Sequence, residues 1–262
     1  MEKSIILRNR LRNLLLIFTN LKFQTLYSTK LTRMPISKEE VVSQMKQVGV
    51  VPVFYHPDVD VLMTLVDICY KSGLRVFEFM HQRDNKGPRL FHYIYERIGN
   101  YPGVILGAGT VLDGTMCERY LEAGAEFIAS PFLRAEMAEI CRSKNILWMP
   151  GCTTRADITK AKSLGATAIG ILPGNILGPE FVQSVKKEFP DIEFVPSGIE
   201  DLHPAALVKW FQAGSLCIKL GGLLFPKNAI AVKDWGLIEK SMIDNLKTIS
   251  KTRASANNVN HY

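Results

Sequence analysis

The chain has 262 residues, 47% of them hydrophobic and 22% charged, an ordinary globular composition with room for one large α/β barrel or two small domains. Its net charge of +7 suggests a nucleic-acid surface until the charge is located. Lys3, Arg8, Arg10, Arg12, Lys22, Lys30 and Arg33 stand against the single acid Glu2, so the rest of the chain is close to neutral and no nucleic-acid face is expected on the folded body.

Residues 1–33 read as a basic tail that does not pack on the body, since its apolar residues keep no helical or strand period. Its Arg-rich, acid-poor composition suits a mitochondrial transit peptide. The run Leu14–Phe18 is too short to span a membrane but suits a signal-peptide core. The favoured reading takes Met34 as the true start, because helix-start chemistry follows at once: Ser37 as N-cap with Glu40 three residues later.

From Met34 short apolar runs alternate with longer amphipathic segments. The predicted strands are Val50–Tyr55, Val76–Met80, Val104–Gly109, Phe127–Ser130, Leu147–Gly151, Ala168–Leu172, Phe194–Ser197 and Leu216–Gly221. The helices between them end at Gly73, Gly124, Gly165 and Gly214, and several begin at Asp113, Thr154 or Gly178-Pro179. Eight strands in this β-α order predict a single (β/α)₈ barrel over residues 34–252, with a preceding helix capping its N-terminal face and a short tail at 253–262. An open dinucleotide-binding sheet is the rival, but the first strand runs into Tyr55-His56-Pro57-Asp58 with no GxGxxG turn.

Cys69, Cys117, Cys141, Cys152 and Cys217 show no CxxC spacing and read as reduced core residues of a cytoplasmic protein. The five histidines are dispersed, so no metal site and no cofactor are expected; His81 alone lies near the presumed rim, placed to contact a substrate.

Lys219 is the most informative residue. In Ser215–Gly222 alternation sets Leu216, Ile218 and Leu220 on the face toward covering helices and Cys217, Lys219 and Gly221 on the enclosed side. A buried ammonium costs several kcal/mol unless paired or deprotonated, and a deprotonated lysine is a nucleophile. A lysine snorkelling out of a strand end is the plainer alternative. By the same alternation Phe77 and Phe79 face the helices and Glu78 faces the interior. Catalytic groups of such barrels sit at the C-terminal strand ends. Here these read Glu78, Gly107-Ala108-Gly109-Thr110, Ser130-Pro131, Pro150–Thr153, Pro173-Gly174, Pro196-Ser197-Gly198 and Gly221-Gly222. Their glycines suit close backbone approach to a phosphate or carboxylate.

Taken in order over about Ser37 to Ser250, these motifs resemble the 2-keto-3-deoxy-6-phosphogluconate / 4-hydroxy-2-oxoglutarate aldolase family. The resemblance implies a homotrimeric barrel, an aldehyde-lyase of class I type. Such an enzyme cleaves a 2-keto-4-hydroxy acid, a sugar acid or keto acid, to pyruvate and an aldehyde through a lysine Schiff base. It implies Glu78 as general acid/base, Arg83 as the grip on the substrate carboxylate, and Thr110, Thr153 and Pro173 around the keto acid. Ser197, Gly198, Gly221 and Gly222 fall at the phosphate end.

The chain departs from the family on strand six, where Gly170 occupies the Schiff-base position, and on strand eight, where Lys219 replaces a glycine. Strands two, six and eight share parity in the layered interior, so Glu78, Gly170 and Lys219 fall in one layer or in adjacent ones, and the amine reads as relocated. At the phosphate end Ile199 replaces a glycine and Gly222 a serine, which weakens anion binding. Two alternatives stay open: a catalytically retired barrel that binds a keto acid or sugar acid or acts as a scaffold, and an enzyme using Glu78 for proton abstraction with no covalent step.

Overall fold

The computed structural model describes residues 36–82 and 86–259. The basic tail and Arg83 lie outside the described residues. Helix α1 (Lys38–Val48) starts where Ser37 Oγ accepts the Glu40 N–H at 3.1 Å and stops at Gly49, whose φ of +81° ends the helix in a conformation that favours glycine. Then follow β1 (Val50–Phe54), α2 (Val59–Lys71), β2 (Val76–Met80), α3 (Gly87–Ile98), β3 (Ile105–Gly109), α4 (Gly114–Glu122), β4 (Phe127–Ser130) and α5 (Ala135–Ser143). The second half runs β5 (Leu147–Cys152), α6 (Arg155–Ser163), β6 (Ala168–Ile171), α7 (Gly174–Glu188), β7 (Glu193–Pro196), α8 (Pro204–Gln212), β8 (Ile218–Leu220), α9 (Lys227–Ala231) and α10 (Trp235–Val259).

All paired strands are parallel, in the order β7-β6-β5-β4-β3-β2-β1-β8. Two bridges, Phe194 to Ser215 and Ser197 to Lys219, join β7 to β8 and close a (β/α)₈ barrel. Between these bridges two residues, 195 and 196, stand against three, 216 to 218, so one extra residue bulges the chain at the start of β8. The bulge corrects one expectation. Alternation sent Leu216 toward the helices, but the strand begins only at Ile218, and Leu216 joins Cys217 in the barrel's interior cluster.

That cluster fills the N-terminal half of the barrel with Val51, Val76, Ile105, Phe127, Leu147 and Met149, while Val41 and Met45 of α1 plug its mouth. The Arg253 guanidinium of α10 donates to Gln47 O at 3.1 Å and to Lys46 O, satisfying carbonyls that the last turn of α1 leaves unbonded. Helix α10 therefore runs through residue 253, where a tail was expected, and pins the plug in place. The helix expected from Gly178-Pro179 is present within α7, preceded by a short turn from Gly174; Gly178, at φ +75° and ψ 166°, is non-helical and separates the two where Pro179 removes a backbone donor. Among the described residues no helix is long and apolar enough to cross a membrane.

Candidate active site

Glu78 owes its direction to its neighbours. Phe77 and Phe79 turn outward, Phe79 meeting the Phe91 ring of α3 edge-on at 5.7 Å and Phe77 the Phe54 ring at 6.4 Å. Two-residue periodicity then aims Glu78 inward, level with Val53 and Gly107 in the pairing register. Two glycines of β3 make room on this face. A Cβ at Gly107 would lie 2.3 Å from the Phe127 ring, and one at Gly109 would lie 1.9 Å from Glu78 Oε1. These glycines, expected to admit an anion, instead clear space for Phe127 below and for the carboxylate above.

Lys219 lies between Val51 of β1 and Ser197, and it points into the barrel. Its Nζ is 2.5 Å from Glu78 Oε2, with Lys219 7% exposed and Glu78 5% exposed. The contact is off the hydrogen-bonding direction of that oxygen, so charge rather than a directed bond holds the pair. Each ion alone would lose several kcal/mol of hydration in this interior; their mutual attraction offsets that loss.

Gly170 has the opposite character. A Cβ there would meet only backbone at ordinary contact distance, Pro150 O at 3.6 Å, Gly151 Cα at 3.7 Å and Val195 O at 3.9 Å. It pairs with Val195, and the next residue on that face of β7 is Ser197, the bridge partner of Lys219. The strand-six position is thus small and unstrained, two strands round the wall from the lysine with β7 between them.

The remaining predicted residues spread round the C-terminal strand ends. Thr110, half-buried after Gly109, holds φ +57°, an uncommon and strained value for a β-branched residue. The Thr153 hydroxyl donates to Leu172 O at 3.0 Å, tying the ends of β5 and β6; it keeps lone pairs but no free proton for a ligand. Pro173 opens α7, and Gly174 N–H donates to Ser197 O at 2.7 Å, joining the ends of β6 and β7. The Ser197 N–H is bound to Ile171 O at 3.0 Å, so that amide is not available to an anion. Gly198 and Gly222 are exposed, whereas Gly221 O accepts the amides of Leu224 and Phe225 in the turn after β8. Ile199 is buried, its bulk turned into the protein. His81 corrects the expectation of a rim contact: it is buried, with Nδ1 2.9 Å from the Tyr120 hydroxyl of α4 and its N–H on Gly109 O at 2.8 Å.

The structure therefore brings Glu78 and Lys219 into contact and sets Gly170, Thr110, Thr153, Pro173, Ser197, Gly198, Gly221 and Gly222 round the same end of the barrel. Sequence reasoning missed what Gly109 does for Glu78; the only signal was a glycine on an inward strand position beside an inward acid. Among the described residues no three His, Cys, Asp or Glu side chains gather as a metal site.

Comparison with known proteins agrees with this geometry. Residues 41–241 match the KDPG and KHG aldolase family. The chain is 24% identical to the 2-dehydro-3-deoxy-phosphogluconate aldolase of Haemophilus influenzae over 221 residues, 82% of this chain and 100% of that one. It is 27% identical to the enzyme of the same name from Zymomonas mobilis over 188 residues, 71% of this chain and 87% of the relative. The crystal structure of the Zymomonas mobilis aldolase with 3-phosphoglycerate superposes with a TM-score of 0.66 at 26% identity, covering 79% of this chain and 96% of that one. The fold is also that of the Legionella pneumophila aldolase, captured with pyruvate as a covalent carbinolamine, with a TM-score of 0.69 at 20% identity over 78% of this chain and 97% of the other. The chain belongs to the KDPG and KHG aldolase family.

Proposed function

We propose that this barrel is a class I aldolase that cleaves a 2-keto-4-hydroxy acid to pyruvate and an aldehyde, with the Schiff-base amine carried by Lys219 on β8. The observation that supports this reading is the 2.5 Å contact between the Lys219 ammonium and Glu78 inside the barrel. An amine can attack a carbonyl only after losing its proton, and among the described residues the ion-pair partner of Lys219 is Glu78. The carboxylate takes that proton, and the freed amine adds to C2 of the keto acid to give a carbinolamine. Glu78 returns the proton to the departing hydroxyl, water leaves and an iminium forms. The Glu78 carboxylate next removes the proton of the C4 hydroxyl, the C3–C4 bond breaks and the aldehyde departs, leaving an enamine. Protonation of the enamine at C3 and hydrolysis release pyruvate and regenerate the amine. Arg83, Thr110, Thr153 and Pro173 are assigned to hold the keto-acid end, and Ser197, Gly198, Gly221 and Gly222 the distal end. Family membership supports a cytoplasmic homotrimer acting on a small keto acid or sugar acid.

The retired barrel has one observation in its favour: the pair that would do the chemistry is buried away from solvent. Borohydride reduction in the presence of pyruvate separates the two readings. Wild-type protein is expected to gain one reduced pyruvyl group on Lys219 by intact mass and peptide mapping. Lys219→Arg, which keeps a cation beside Glu78 but no attacking amine, is expected to gain none. Wild type that binds pyruvate yet traps nothing would establish the retired barrel instead.

A further inference from the structure

The outer helical layer carries a pair of buried thiols, on helices α4 and α5. Cys117 of α4 and Cys141 of α5 are both buried, and their sulfurs are 3.7 Å apart, in direct thiol-to-thiol contact. Beside them is a crevice of about 30 Å³ lined by Lys38, Cys141, Arg142, Ile146, Trp148 and Thr167. A water needs roughly 10–15 Å³ of such space, so this one admits a molecule of one or two heavy atoms and excludes a tripeptide disulfide. Its lining includes two cations, Lys38 and Arg142, and no carboxylate.

We propose that Cys117 and Cys141 are an oxidisable pair, in which hydrogen peroxide entering this crevice is reduced and the two thiols become a disulfide joining α4 to α5. The Cys141 sulfur attacks one peroxide oxygen; the O–O bond breaks, hydroxide leaves toward Lys38 and Arg142, and the thiol proton converts it to water. The resulting sulfenic acid lies against the Cys117 thiol, which attacks the Cys141 sulfur; the S–O bond breaks and a second water leaves with the Cys117 proton. Two thiols and one peroxide give one disulfide and two waters. The hydrogen bond with Cys117, and burial after it, raise the Cys141 thiol well above the ordinary range, so little thiolate is present and the reaction is slow. The pair therefore records sustained rather than passing peroxide.

The disulfide would close the segment from residue 117 to 141, which includes β4, and restrict the unfolded chain. The test treats the full-length protein with hydrogen peroxide, then quenches it in denaturant with N-ethylmaleimide and maps the peptides. A Cys117–Cys141 cross-linked peptide is expected, with two fewer alkylated cysteines than in untreated protein, both restored by dithiothreitol. The unfolding midpoint should rise by roughly 5–10 °C in the oxidised form. Cys117→Ser should stop at a Cys141 sulfenic acid that reacts with dimedone added with the denaturant, and Cys141→Ser should leave Cys117 alkylated throughout. Wild type that ends with both thiols free, or with Cys141 as sulfinic acid beside a free Cys117, overturns the proposal.

Discussion

The lower and upper halves of the barrel interior are built from the same eight strands and differ in kind. Below, Phe127, Leu147 and Met149 meet the Val41–Met45 plug in a wholly apolar cluster. Above, on β2 and β8, the same inward alternation delivers a carboxylate and an ammonium that touch. The lower half contributes stability by removing apolar surface from water, at about 25 cal/mol per Å². The upper half costs hydration and recovers it only while both ions are present. The contrast teaches how one fold can hold buried charge: the apolar layer fixes the strands, and the fixed strands hold two ions in register.

The first way to break the comparison is through turnover. Glu78→Gln should lower aldol cleavage by about 10²–10⁴-fold, the usual worth of a general acid/base, and mostly in kcat. Unchanged kcat would remove Glu78 from the chemistry.

Stability sharpens it next. Glu78→Gln or Lys219→Met alone strands a buried charge and should cost about 3–5 kcal/mol, whereas the double variant should lose much less than the sum. Phe127→Ala in the lower layer should cost a similar ~3–5 kcal/mol, with no second substitution that restores it by neutralising charge. Urea unfolding of the four variants measures all of this, and additive losses for Glu78 and Lys219 would contradict the ion-pair account.

What could be read from sequence follows the same division. The eight strands, their parity and the inward aim of Glu78 and Lys219 follow from two-residue alternation within a strand, a local property. The contact between the two side chains depends on the pairing of Val53 with Glu78 and Val51 with Lys219, and register across strands leaves no mark in a single sequence. Leu216 was misplaced for a related reason: a bulge is visible only against the partner strand. The glycines of β3 were legible as glycines, but which side chains they accommodate is decided by tertiary packing.

Those glycines give a finer comparison. Gly109→Ala places a Cβ within 1.9 Å of where Glu78 Oε1 now lies, so the carboxylate must swing away from its present position. Turnover should fall by at least about tenfold, with the expelled carboxylate left short of Lys219. Gly170→Ala meets nothing nearer than 3.6 Å and should change stability by less than about 1 kcal/mol. Equal effects at the two positions would mean that strand six is as tightly filled as strand three.

The smallest effect is expected at the rim, where a second carboxylate does structural work in water. Asp157 accepts the Thr154 N–H at 2.9 Å and the Thr153 N–H at 3.2 Å, while the Thr154 hydroxyl closes a capping box at the start of α6. Partial burial works to raise its carboxyl, but bonds from the Thr154 hydroxyl and the two amides outweigh it and leave the group below the ordinary aspartate value of 3.8. A folded-state value below the unfolded one stabilises the fold above the unfolded value, and that share is lost as pH falls through the folded one. Asp157→Asn should therefore cost about 1 kcal/mol at neutral pH, as for a helix cap, and flatten the stability profile below about pH 4. Because the site is largely open to solvent, salt should shrink the difference, unlike the loss from Glu78→Gln in the closed interior. Unfolding curves at several pH values and two salt concentrations decide it. An Asp157→Asn profile parallel to wild type down to acid would mean that the capping carboxylate carries no pH-dependent share of the fold.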